Sequence, residues 1–259
     1  MSKFYFTQTK LSMFGRKGKI EPDADGYYEL VVGGLNTDNN LGTWHYTADG
    51  VRELFAPGSI LMRRVQNGVL RAEVNHPKQR PGESLDQFAM RYMDTDMNNV
   101  CAHFKSIWLD EDFGKKFPQY KNPNLIGIMA LVKPIPPKGD ILAEALKNTE
   151  QNVCFSIRAL CDEGFVRGKV IRVLKDLIAL DLVNEGGLVM ASKWDSPATE
   201  GVAFADSLLL TEKLIQRAKA SASKTPSELV EATESSLVAL DYIEKKYFAP
   251  PASPMYTKW

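Results

Sequence analysis

A serine hydroxyl attacks a carbonyl near neutral pH only under three conditions. A base must take its proton, a third polar group must orient that base, and donors must meet the oxyanion. The chain has 259 residues but only three histidines, His45, His76 and His103. Any imidazole base comes from that short set. Ser156 stands in VCFSIRAL, residues 153–160, whose β-branched and aromatic residues read as a buried strand. Most strand serines simply hydrogen-bond to backbone, so Ser156 is a candidate nucleophile rather than an assigned one. His76 closes the segment AEVNHP. Pro77 biases it toward extended backbone and leaves the ring at the mouth of a loop. Asp181 lies between Leu180 and Leu182. A carboxylate there either faces solvent at a sheet edge or finds a partner, and a histidine ring nitrogen suits it. His103, in VCAHFKSIW, is the rival third member. Arg158 and Cys154 flank Ser156 at two-residue spacing and share its strand face. Arg158 is a candidate for substrate or oxyanion support or for pairing with a carboxylate, and Cys154 for an alternative thiol nucleophile, although a cysteine there equally reads as a small buried hydrophobe.

The elements that must position these groups are mostly strands. SKFYFTQTKLSMFG and GYYELVVGGL read as extended. VLRAEVNH alternates, with Leu70, Ala72, Val74 and His76 on one face, and NNVCAHFKSIWLD is a further strand. A charged hairpin-like stretch, EDFGKKFPQYKNP, leads into the apolar strand NLIGIMALVKPIPP. GVRELFAPGSILMRRVQNG predicts a helix interrupted at Pro57 and Gly58, and GDILAEALKN a short helix. HPKQRPGESLDQ reads as a polar loop. VCFSIRAL and the long KVIRVLKDLIALDLV complete the strand-rich part. After Gly187 the pattern turns helical, in FADSLLLTEKLIQRAKASA and PSELVEATESSLVALDYIEKKYF. The second of these opens with a capping pattern, Thr225, Pro226 and Glu228. The expected organisation is therefore a core over residues 1–187 and a helical C-terminal region over 188–259. The expected fold class is α+β, mainly β: an antiparallel β-barrel core surrounded by helices.

Composition bounds the function classes. Apolar residues make up 44%, charged residues 25%, and the formal net charge is zero. No global basic field points to nucleic acid, and no apolar run is long enough to span a membrane. Three cysteines at irregular spacing read as reduced thiols. The histidines lack metal-ligand spacing and no phosphate-binding loop occurs, so neither a metal nor another cofactor is expected.

Taken in order, AEVNHP, NNVCAHFKSIW, GIMALVKPIPPKGDILAEAL and NVCFSIRA resemble the prohead maturation proteases of tailed phages, in particular the branch from large contractile-tailed and giant phages. The matching positions are Glu73 with His76-Pro77, His103 with Trp108, Gly139 with Leu142, and Ser156. They cover about residues 68–185. The resemblance implies a fold related to the herpesvirus assembly proteases. It also implies a serine endopeptidase with Ser156 as nucleophile, His76 as general base, and Asp181, in preference to His103, orienting the ring. VNEGGLVMAS lacks the arginine pair of the herpesvirus relatives, so no oxyanion donor is assigned.

The implied substrates are scaffold and major capsid precursor proteins and the protease itself, cut after glutamate in small-x-Glu sites. The implied setting is the immature capsid in the bacterial host cytoplasm, with no nucleic-acid or membrane partner. Self-association into a homo-oligomer stays open. Ala198-Thr199-Glu200 and Ala232-Thr233-Glu234 fit the cleavage pattern, which makes Glu200 and Glu234 the self-cleavage candidates. Arg63, Arg64, Lys105 and Arg158 are candidate cations for a glutamate recess. The competing reading is a catalytically inactive relative that serves as a scaffold or capsid-assembly protein.

Overall fold

The computed structural model describes residues 4–12, 21–39, 42–184, 193, 208–210, 215–217, 219–220, 241 and 244. The chain divides into two compact units. The larger unit, Phe4–Lys78 with Thr95–Leu209, holds two sheets.

One sheet contains β1 (Phe4–Ser12), β3 (Thr37–Asp38), β4 (Trp44–Thr47), β8 (Cys154–Val166), β9 (Lys169–Val183) and β10 (Leu208–Leu210), in the order β10-β1-β8-β9-β4-β3. The other contains β2 (Tyr28–Leu35), β5 (Arg71–Glu73), β6 (Val100–Asp110) and β7 (Ile126–Pro134), in the order β2-β7-β6-β5. Among strands β1 to β9, pairing is antiparallel except between β4 and β9. The fold class is mixed α+β, with a curled antiparallel half-barrel and helices. Register shifts at Val31/Gly33, Phe104/Ser106, Arg158/Ala159 and Leu160/Cys161 supply the bends that curl a ladder. Phe104 on β6 meets Phe155 on β8 edge to face, with ring centroids 6.1 Å apart, so the core lies between the sheets.

The β8–β9 hairpin has two characters. From Cys154 to Cys161 every β8 residue is buried, as is every β9 residue from Leu177 to Val183. Strands covered on both faces lose polar alternation, and any polar group in them is costly without a partner. The opposite end runs out to an exposed tip at Phe165 and Val166, turned by Arg167 and Gly168 at positive φ.

The interrupted helix is present as α1 (Val51–Leu54) and α2 (Ile60–Gln66), with Ser59 capping α2 by accepting from the Met62 N–H. The charged stretch after β6 is not a plain hairpin loop. It folds into α4 (Phe113–Lys116) and a 3₁₀ turn over Pro118–Tyr120, because Phe113 buries itself against Phe117 and Tyr120. α5 (Gly139–Lys147) ends on an unexpected cation. Lys193, fully buried, donates to the carbonyls of Ala145, Asn148 and Gln151 at 2.6, 2.5 and 3.0 Å. A positive charge at a helix C-terminus satisfies its unpaired carbonyls.

The smaller unit comprises Met1–Lys3, Gln79–Asp94 and Leu210–Trp259. Its α3 (Leu85–Met93) lies partly in the segment read as a loop, and a Ser84–Gln87 capping box starts it. Arg91 pairs with Glu83 through two 2.7 Å contacts. Lys219 bridges Asp241 and Glu244 at 2.9 and 2.5 Å. Part of the first C-terminal segment expected to be helical is instead strand β10. Leucine's helix propensity yields there to pairing alongside β1. Ile215–Arg217 is helical. The linker over 221–225 and most of the second expected helix lie outside the described residues. No helix among the described residues is long and apolar enough to cross a membrane.

Candidate active site

Ser156 and Asp181 are direct partners across the β8–β9 ladder, so their side chains leave the same face. The third group arrives from the other sheet. β5 ends at Glu73 after a register shift at Ala72/Glu73. Val74 then makes one parallel bridge to Leu182, and the Asn99 amide nitrogen donates to its carbonyl at 2.7 Å. Asn75 takes a left-handed conformation, φ 61°, which asparagine tolerates better than most residues. Its N–H donates to the Leu182 carbonyl at 2.7 Å. This turn breaks the expected alternation through His76 and sets the ring over the hairpin.

His76 Nε2 lies 2.5 Å from Ser156 Oγ, and Nδ1 lies 2.8 Å from Asp181 Oδ2. A carboxylate only accepts, so Nδ1 carries the proton and Nε2 is free to accept from the hydroxyl. Ser156 and Asp181 are fully buried and His76 is 9% exposed. The other Asp181 oxygen, Oδ1, accepts from the Glu73 N–H at 3.2 Å. The carboxylate is therefore held on both sides.

Behind it sits an ion-pair cluster. Arg158 Nη2 donates to Glu73 Oε1 at 2.6 Å and to Asp181 Oδ1 at 3.3 Å, while Nε lies 3.1 Å from Asp181 Oδ2. Arg158 is fully buried and Glu73 is 2% exposed. Burial pushes the Glu73 carboxyl above its ordinary range. Arg158 opposes that rise and the Asp181 charge adds to it. Of the two places expected for Arg158, the guanidinium takes the pairing with carboxylates, held by two of them beneath the site.

The other candidates lie elsewhere. His103 does not reach His76. Its Nδ1 is 3.1 Å from the Tyr27 hydroxyl, and burial, with the Arg71 and Lys133 charges, holds its imidazole below the usual value. His45 pairs with Asp38 at 2.7 Å beside a polar cleft of about 580 Å³. It stands opposite Ile171 on β9, far along the strand from Asp181, and no serine, threonine or cysteine lines that cleft. Cys154 and Cys101 are buried thiols, with Cys101 directed at the Ala72 carbonyl. Arg64 donates to the Ile178 carbonyl, Lys105 pairs with Asp25 at 2.8 Å, and Arg63 is exposed. Glu200 and Glu234 lie outside the described residues, as does most of VNEGGLVMAS. No cluster of metal-binding side chains occurs among the described residues.

A buried hydroxyl, an imidazole and a carboxylate in hydrogen-bonded series are the groups acyl transfer uses. The sequence profile of the Peptidase S80 family matches residues 6–243. The chain belongs to the Peptidase S80 family. Over 199 residues this S80 chain is 34% identical to the capsid maturation protease of Pseudomonas phage phiKZ, a match that spans 75% of this chain and 70% of that protein. It is also similar to the solved capsid assembly protease of bacteriophage T4, at 15% identity and a TM-score of 0.43, over 68% of this chain and 98% of the other.

Two residues of this S80 chain escape a reading by motif alone. Glu73 enters only as the acidic member of the Glu-x-x-His-Pro element, with no task attached. Asn75 carries no signal beyond its tolerance of the left-handed region. A physical clue to Glu73 exists, since it lies between Ala72 and Val74 in an apolar strand while Arg158 lies between Ile157 and Ala159. Two opposite charges in buried strands must find each other.

Proposed function

We propose that this peptidase is a serine endopeptidase that cleaves scaffold and capsid precursor proteins, and itself, inside the immature capsid of a phage in its bacterial host. The observation that carries the reading is the His76 ring, bonded on one side to the Ser156 hydroxyl and on the other to the Asp181 carboxylate.

In this mechanism Ser156 Oγ forms a bond to the scissile carbonyl carbon as its proton passes to His76 Nε2. Asp181 holds the imidazolium through Nδ1–H and keeps the ring aimed at the serine. His76 then gives its Nε2 proton to the leaving amine as the C–N bond breaks. A water molecule, deprotonated by the same nitrogen, releases the acyl group from Ser156. Such a base contributes about 10²–10⁴-fold in rate. Ser156 is fully buried in this state, so an extended substrate reaches it only when the groups covering it withdraw.

Membership of a peptidase family and the likeness to the phiKZ capsid maturation protease support the assignment to capsid maturation. Cleavage after glutamate is what the resemblance to the prohead proteases implies, and the two Ala-Thr-Glu sequences of the chain fit it, which makes Glu200 and Glu234 the proposed self-cleavage points. Co-expression with the cognate scaffold and capsid precursors tests the whole reading. The wild type is expected to shorten both partners and itself, with new termini after glutamate by mass spectrometry, and Ser156→Ala to leave all three intact. Unchanged processing by Ser156→Ala would refute the nucleophile, and new termini after other residues the glutamate preference.

A further inference from the structure

We infer that Glu73 is a positioning residue whose carboxylate occupies Arg158, so that Asp181 keeps its Oδ2 for the His76 ring. The inference rests on the serine-peptidase reading and deepens it.

Asp181 Oδ2 has a hydrogen-bonded neighbour and a close cation without hydrogen-bond geometry. His76 Nδ1 reaches it at 2.8 Å and Arg158 Nε lies 3.1 Å away. A guanidinium has a planar fork that fits both oxygens of a carboxylate at once. Left alone with Asp181, Arg158 would close on both oxygens and take Oδ2 from the imidazole. Glu73 prevents this by offering a nearer acceptor: its Oε1 is 2.6 Å from Nη2, whereas Asp181 Oδ1 is 3.3 Å away. The guanidinium therefore seats on Glu73 and only leans on Asp181. Glu73 also fixes the carboxylate through its own N–H. Its place three residues before His76 lets one short segment deliver both the base and the group that protects the base's partner.

Charge points the same way. Among the described side chains, the charged and polar groups facing His76 are Asp181 on β9, Ser156 and Arg158 on β8 and, behind them, Glu73 on β5. The Cys154 and Cys101 thiols flank the cluster from β8 and β6, and burial pushes the Cys101 thiol well up, so it stays uncharged. With both carboxylates ionised the cluster carries one net negative charge, which the imidazolium of the reaction balances. Without the Glu73 charge the cluster is neutral before the proton moves and positive afterwards. In a buried site that difference is screened far less than it would be at the surface.

The test uses full-length protein and a fluorophosphonate probe, which phosphonylates an activated serine and needs no peptide specificity. Labelling rate is followed against pH for wild type, Glu73→Gln, and Glu73→Gln combined with Arg158→Met, each with and without Ser156→Ala. Glu73→Gln is expected to label at least tenfold more slowly, with the acid limb of its profile about one pH unit lower, because an uncompensated cation disfavours the protonated ring. The double variant removes both charges, so its acid limb should return to the wild-type position and its rate should exceed that of Glu73→Gln.

Wild-type rate and profile in Glu73→Gln would overturn the inference. A double variant no faster than Glu73→Gln, or with its limb still displaced, would do the same and leave Glu73 a merely structural role. Should Glu73→Gln fail to fold, the double variant decides alone: labelling with an unmoved acid limb supports the inference, and a displaced limb or no labelling overturns it. Labelling that survives Ser156→Ala would instead refute the serine-peptidase reading, and the inference with it.

Discussion

Ser156 and Asp181 face each other as ladder partners on β8 and β9, and the His76 ring joins them. Serine and acid are thus held by one continuous hairpin, and only the imidazole is delivered from a turn. Aspartate to asparagine at 181 keeps the shape and an acceptor for the Glu73 N–H but loses the negative charge. Its amide can also present a donor to Nδ1, favouring the tautomer with the proton on Nε2. We expect Asp181→Asn to lower kcat by about 10²–10⁴-fold with KM little changed, measured by steady-state cleavage of a peptide containing Ala-Thr-Glu. A change confined to KM would contradict this role.

Cys154 shares the strand face of Ser156 but is not the group bonded to His76. Cys154→Ala should keep at least half of the wild-type cleavage rate, since truncating a small buried side chain costs stability more than chemistry. Loss of cleavage in a soluble Cys154→Ala protein that melts as a folded domain would move the nucleophile to the thiol.

His103 supplies a pH signature of its own. Burial, then Arg71 and Lys133, hold its folded-state value below the usual 6.5. The folded chain therefore binds this proton less readily than the unfolded chain. Stability from this group is present above about pH 6.5 and is lost as pH falls toward the lower folded value. His103→Gln should flatten that acid slope, as read from urea midpoints at pH 7.5 and 5.5. An identical slope in the variant would show that other groups carry it.

Gly127 on β7 packs against the Phe113 ring, and a methyl group there would stand 2.6 Å from Phe113 Cδ2. Phe113 is fixed between Phe117 and Tyr120, at centroid distances of 4.7 and 5.9 Å. Gly127→Ala should therefore destabilise the larger unit by about 1–3 kcal/mol, visible as a lower melting temperature. An unchanged melting temperature would mean that the ring shifts freely.

Much of this architecture is legible in the sequence, and the exceptions have a common cause. Long strands such as β6, β7 and β9 announce themselves through apolar runs, and the α1–α2 break through Pro57 and Gly58. α3 has a signal in its Ser84-x-x-Gln87 box, but the surrounding prolines and charges mask it. α4 hides because its apolar anchor, Phe113, is a single residue among charges. At the candidate site, residue types indicate which groups need partners but not which partner each finds. Arg158 has the same strand parity as Ser156, yet parity cannot tell a substrate-facing guanidinium from one locked under the site. That depends on how the end of β5 docks on β9, and β5 has only three residues and a register shift against β6.

The groups of the proposed triad are far apart along the chain: His76 is 80 positions from Ser156 and 105 from Asp181. A nascent polypeptide that has reached only the first of these residues has no means of cutting anything. Even after synthesis, the proposed triad is complete only once the Asn75 turn docks on β9, a long-range closure of the kind that slows folding. For a peptidase, topology thus ties the power to cut to the finished fold.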